Sequence, residues 1–193
     1  MGGFEKYLLI VNIIGFVLYM INMGLYSYTE FGQIDLWLTV TAIIGGSLGI
    51  IVAILLFDRH ACKGNMMSRV FVSCVFVIQV VVVLIYKGHL EKTLTFAFWS
   101  FFASRPAFLH YLLIINIISF FVYGFDKLAA IEGMTRIRIV TLLGLAFAGG
   151  SIGAIVAMYL FNHKTSKDYF VVGVPMIIVT QLIVLFFLMN GRL

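Results

Sequence analysis

Six long apolar runs, at residues 7–25, 36–57, 70–86, 108–125, 139–161 and 169–189, alternate with short polar stretches along the chain. A helix needs about 20 apolar residues to cross about 30 Å of hydrocarbon. Lipid offers no partner to backbone N–H and C=O groups, so each run must satisfy them internally, as an α-helix does. The pattern predicts six transmembrane helices, with loops at residues 27–35, 58–69, 126–138 and 162–168. One further apolar stretch, 94–103 (LTFAFWSFFA), is too short to span and is flanked by Lys92 and Arg105. Its Trp99 and clustered Phe side chains suit a linker helix at headgroup level, the alternative being a tilted seventh crossing.

Composition agrees. The 193 residues are 63% hydrophobic and 11% charged, against about 45–50% and about 25% in a soluble domain. A soluble fold of this size could not cover so much apolar side chain, and a disordered chain would be polar. The class is an all-α integral membrane protein. The net charge of +5, from 13 Lys+Arg against 8 Asp+Glu, sits in the loops, where it orients helices. No basic helix or RNA-reading strand accompanies it, so no nucleic-acid partner is expected. Cys62 and Cys74 have neither disulfide nor zinc spacing, and His60-Ala61-Cys62 lacks further ligands nearby. No metal or cofactor is expected. The first run is longer than a signal-peptide core, and no small-x-small cleavage site follows it.

A repeat runs through the chain. Residues 7–19 (YLLIVNIIGFVLY) lie over 111–123 (YLLIINIISFFVY), and 45–57 (GGSLGIIVAILLF) over 149–161 (GGSIGAIVAMYLF), both at an offset of 104. Late in each half the offset slips by two, and Gln79 falls over Gln181. Chance accounts for matched Leu and Ile, but far less well for Asn, Tyr, Gly-Gly-Ser and Gln in register. The sequence predicts two three-helix repeats, residues 1–88 and 108–193, joined by the interfacial linker 89–107. An odd number of crossings per repeat inverts the second repeat against the first, an arrangement common in transporters. With the N-terminus in the cytoplasm, eight of the 13 Lys+Arg fall inside and five outside. That count is the same if the Gly-Gly runs break each middle helix into a re-entrant hairpin. Length favours continuous crossings, since about 22 residues reach about 33 Å.

Small residues recur as Gly45-x-x-x-Gly49-x-x-x-Ala53 and Gly149-x-x-x-Gly153-x-x-x-Ala157, with Gly46 and Gly150 beside them. Such stripes let two helices approach closely, and the second and fifth spans are expected to cross there. The alternative is a local break exposing backbone groups to an ion. Asn12, Asn116, Gln79 and Gln181 place amides in the spans, either for interhelical hydrogen bonds or along a substrate path. No Asp, Glu, Lys or Arg is expected deep within a span, which argues against a carrier built on a central carboxylate. Pro175 should kink the last helix.

The ionisable residues of the second half form three groups, Asp126-Lys127, Arg136-Ile137-Arg138, and His163-Lys164-Thr165 with Lys167. In this order, with the Gly-Gly-Ser-x-Gly-Ala run between and Phe170 after, the chain resembles the bacterial membrane family called domain of unknown function 1294, over about residues 111–181. The family's acidic residue soon after Arg-Ile is missing here. The first half is a degenerate copy, with Asn22-Met23 in place of Asp126-Lys127 and Asp58-Arg59-His60 in place of Asn162-His163-Lys164. The resemblance implies a small bacterial inner-membrane protein and carries no activity with it.

Asp126, Lys127, Arg136, His163, Lys164 and Lys167 are donors and a counter-charge suited to phosphate or another anion. The plainer account is that they anchor span ends. Continuous spans put Asp126 and His163 on opposite faces of the membrane, whereas re-entrant hairpins put them on one face. The expected function is a carrier or channel for a small anion or anionic lipid headgroup. A non-catalytic accessory protein, packing on partner helices or a second copy through its glycine faces, is the alternative. A lipid-phosphate enzyme using His163 is the third, weakened because no Ser-His-Asp set, metal-ligand helix or phosphate loop is visible, so no catalytic residue is assigned.

Overall fold

The computed structural model describes residues 2–28, 35–58, 64–91 and 93–191, side chains of 26–28 excepted. Arg59, His60, Cys62, Lys63, Lys92 and Arg192 lie outside the described residues. Among the described residues every regular element is a helix and no strand forms. Six helical stretches are long and apolar enough to cross a membrane: Gly3–Leu25, Asp35–Phe57, Met66–Tyr86, Pro106–Ile131, Ile139–Leu160 and Asp168–Asn190. They coincide with the six apolar runs, and the chain is a multi-pass membrane protein by that measure.

The chain divides into two compact units, Met1–Val80 and Val81–Leu193. The first holds α1 (Gly3–Tyr28), α2 (Asp35–Thr41), α3 (Ser47–Phe57) and most of α4 (Met66–Tyr86). The second holds α5 (Phe98–Ser104), α6 (Pro106–Ile131), α7 (Ile139–Leu145), α8 (Ser151–Leu160), α9 (Asp168–Val171) and α10 (Gly173–Asn190). The aromatic stretch thus forms a seven-residue helix, too short to span. The segment before it is tied to the end of α10, because Thr95 N–H donates to Asn190 Oδ1 at 2.6 Å and Asn190 Nδ2 donates to Thr95 O at 3.1 Å. The last span breaks at Val172, three residues before Pro175, which has no N–H to give the preceding turn.

The middle stretch of each unit does not cross straight. In the second unit, α8 runs parallel to α6 in a fixed register of 37 residues. Tyr111 OH donates to Ala148 O at 2.6 Å, Gly153 N–H to Asn116 Oδ1 at 2.8 Å, and His163 Nε2 meets Asp126 Oδ2 at 2.8 Å. The other end of the same stretch returns to the same place, since Ile137 N–H donates to Asp126 Oδ1 at 2.9 Å. A straight 22-residue helix would part its ends by about 33 Å, but here both ends meet on one carboxylate. Residues 139–160 are a re-entrant hairpin that turns at Gly149, whose φ of +114° is open to glycine and costly for other residues. The first unit repeats this. Tyr7 OH donates to Ile44 O at 2.6 Å, Gly49 N–H to Asn12 Oδ1 at 2.8 Å, and Tyr19 OH to Asp58 Oδ2 at 2.7 Å. Asp35 and Asp58, at the two ends of that hairpin, line one cavity, and the turn is at Gly45 with φ +129°.

Continuous middle crossings, expected from length, are therefore overturned. Length measures how far a helix could reach, and a left-handed glycine decides whether it does. Each unit pairs two long helical stretches with one hairpin that folds back on itself. The glycine stripes are also placed differently. A Cβ on Gly49 would lie 1.8 Å from Asn12 O and one on Gly153 2.1 Å from Asn116 O, so the close approach is to α1 and α6 of the same unit. Gly46 and Gly150 likewise press on Val11 O and Ile115 O. Asp126 lies inside α6, which runs six residues past the expected end, and is wholly buried. A span can carry that carboxylate because its charge and both oxygens are answered.

Candidate functional site

Two polar centres build each unit, one at the hairpin's tip and one at its base. The tip is a helix break within a stretch long and apolar enough to cross a membrane, and in lipid each orphaned carbonyl or N–H would cost several kcal/mol. Side chains on the straight helices meet that need. In the second unit Gln181 Nε2 donates to Ala146 O at 2.7 Å and Phe147 O at 3.2 Å, Asn116 Nδ2 to Gly149 O at 2.8 Å, and Ser151 OH to Gln181 Oε1. In the first, Gln79 Nε2 donates to Ala42 O and Ile43 O, and Ser47 OH to Gln79 Oε1. Asn12, Asn116, Gln79 and Gln181 are thus spent on backbone rather than left open. The Gly-Gly-Ser segments with Ser47 and Ser151 were weighed as local breaks, whereas Tyr7 and Tyr111 were missed as tip residues, although both open the matched Tyr-Leu-Leu-Ile segments.

At the base of the second hairpin, Asp126 Oδ2 takes His163 Nε2 at 2.8 Å and Lys164 Nζ at 2.9 Å, while Oδ1 takes Ile137 N–H. Consecutive residues usually point apart. Here Asn162 (φ 46°) and Lys164 (φ 63°) adopt left-handed backbone, which curls the loop so that both side chains reach one carboxylate. Such strain at a non-glycine residue costs about 1–2 kcal/mol and persists where surroundings hold it. The Lys164 ammonium also stands 5.6 Å from the Phe170 ring centre, and Phe170 packs edge-on against Tyr123 at 5.8 Å. The centre is a clamp. It fastens the segment before the hairpin and the segment after it to one side chain of α6.

His163 and Lys164 keep partial access to the surface, with 13% of each side chain exposed. Lys127 is half-buried, Arg136 and Lys167 are exposed, and none of the three joins the clamp. The first unit closes its hairpin with other residues. Asp58 accepts Tyr19 OH, Asn65 Nδ2 at 3.1 Å and the Arg69 guanidinium at 3.0 Å. Here the carboxylate stands at the end of the hairpin rather than on the long helix, and an arginine supplies the cation. Sequence comparison missed this because Asp58 occupies the position of Asn162, not of Asp126. Among the described residues no three His, Cys, Asp or Glu side chains gather as a metal site requires.

The family described as "Protein of unknown function (DUF1294)" matches residues 116–170. The uncharacterized protein YsdA of Bacillus subtilis (strain 168) is 36% identical over 75 residues, which are 39% of this chain and 84% of the relative. This chain belongs to the DUF1294 family. No solved structure matches it. The DUF1294 segment begins at Asn116, which caps the hairpin tip, and ends at Phe170, which backs the Lys164 ammonium. It therefore spans α6 from tip level to clamp, the whole hairpin and the returning loop, and leaves the tip residues Tyr111 and Gln181 outside it.

Proposed function

We propose that the chain is a duplicated DUF1294 unit that carries or conducts a small anion or an anionic lipid headgroup across a bacterial inner membrane. The observation that carries this reading is the hairpin tip. It lies about 15–22 Å along α6 from its base, with the N-terminal end of α8 at depth. Broken helices whose positive ends meet inside the membrane are a device of transporters, where they face anionic groups. The clamp supplies the matching surface donors: an ammonium and an imidazole, the groups that suit phosphate oxygens. An arriving phosphate competes with Asp126 for Lys164 and His163, and release of the clamp frees the hairpin's outer end. The duplication is supported by the two sets of equivalent contacts at Asn, Gly-Gly-Ser and Gln.

The test is reconstitution. Proteoliposomes should translocate a labelled phospholipid or accumulate radiolabelled phosphate or chloride faster than empty vesicles, and Lys164→Gln should slow it. Folded protein that moves none of these removes the reading.

A further inference from the structure

The hairpin of the second unit gathers on one face cations that a straight crossing would have split. Residues 126–138 and 162–168 hold five Lys or Arg against three Asp or Glu. Both segments close on Asp126, through Ile137 N–H at 2.9 Å and Lys164 Nζ at 2.9 Å. We propose that this base is a docking surface for an anionic phospholipid headgroup, held chiefly by Arg136 and Arg138. Neither arginine belongs to the clamp on which the transport reading draws, and a lipid can dock here without being carried, so the two readings stand or fall separately.

Chain reversal brings the two arginines back alongside α6. The helix closes with Glu132 N–H on Leu128 O at 2.9 Å and Met134 N–H on Ala129 O at 2.9 Å. The chain then returns until Ile137 reaches Asp126, more than one helical turn before the end of α6. Residues 134–138 are not helical, and Arg138 is extended at φ −63°, ψ 138°. Alternate side chains of an extended segment share a side, with Cα atoms about 7 Å apart. Arg136 and Arg138 are accordingly both exposed, and Ile137 between them is half-buried.

Charge selects the occupant. Asp126 is committed to Lys164 and His163, which sets Glu132 and Asp168 against Lys127, Arg136, Arg138 and Lys167. Surplus cations at a membrane surface attract anionic lipid, and a guanidinium offers paired N–H donors that match two phosphate oxygens. The surface that follows Arg138 suits an acyl chain. Val140, Gly144 and Ala148, four residues apart, are exposed, and a Cβ on Gly144 would meet nothing within 4 Å. At the offset of 104 the first unit has Gly32 and Ile34 in place of the arginines, and Leu36, Val40 and Ile44 in place of this shallow track. Head site and track thus occur together, in the second unit.

A local fluorescence reporter tests this in the full chain. With Trp37 and Trp99, the two tryptophans, replaced by Phe, Val140→Trp reads the lipid beside the arginines in reconstituted vesicles. Brominated phosphatidylglycerol is compared with brominated phosphatidylcholine as quencher. Phosphatidylglycerol should be preferred about fivefold, the scale of one cation near an anionic lipid. In 1 M NaCl the preference should fall to near one. Arg136→Gln with Arg138→Gln should remove it, while Arg105→Gln, at the opposite end of α6, should leave it intact. Equal quenching by the two lipids at low salt overturns the proposal. So does a preference kept in the double variant, which reduces the pair to a topology signal. If that variant does not fold, the salt titration decides, because a preference that 1 M NaCl leaves unchanged is not held by these charges.

Discussion

Asp126 is a carboxylate with no exposed surface that accepts three hydrogen bonds, from a backbone N–H, an imidazole and an ammonium. Burying a charge is tolerable only with such a shell, and removing one partner strands the other. Asp126→Asn leaves the Lys164 ammonium without its counter-charge and loosens both ends of the hairpin. We expect it to lower stability by about 3 kcal/mol, measured as a drop in the unfolding midpoint of the detergent-solubilised protein. Lys127→Gln, next in sequence but outside the clamp, should stay within about 0.5 kcal/mol. Equal effects from the two would mean the clamp holds nothing. Composition and position identified the charged residues of this site, but not their grouping, because adjacency in sequence put Lys127 with Asp126 while the fold chose Lys164.

At the scale of the element, the hairpin is decided by one backbone angle and by who satisfies the break. Gly149 supplies the left-handed turn, and Tyr111, Asn116 and Gln181 take the carbonyls it exposes. The apolar length of 139–160 permitted a full crossing, and the same residues permitted a return; hydropathy weighs the two equally. The consequence is a difference in sidedness. With Cys62 and Cys74 replaced, single cysteines at Glu132 and Lys167 flank the two ends of the hairpin. A membrane-impermeant maleimide should label both from the same side of oriented vesicles. Labelling from opposite sides would restore the straight crossing and dismiss the hairpin.

At the scale of the whole molecule, each unit closes its own tip and its own base. The relative YsdA, matched over 84% of its length by 75 residues, is not much longer than one of these units. We expect residues 88–193, expressed alone, to insert and to keep a cooperative thermal transition that Asp126→Asn lowers. Aggregation of that fragment under conditions where the full chain stays folded would mean the second unit depends on the first. The six apolar stretches, the membrane class and the DUF1294 pattern were all legible in the sequence, because each is a property of order along the chain. Side-chain hydrophobicity every few residues and matched polar letters need no third dimension. The return of the middle helices, the convergence of His163 and Lys164 on Asp126, and the pairing of Asp58 with Arg69 were decided only by the tertiary structure. Those depend on which groups meet across tens of residues, and on a positive φ that one glycine in each hairpin, Gly45 and Gly149, adopts where neighbouring helices answer the hydrogen bonds it breaks.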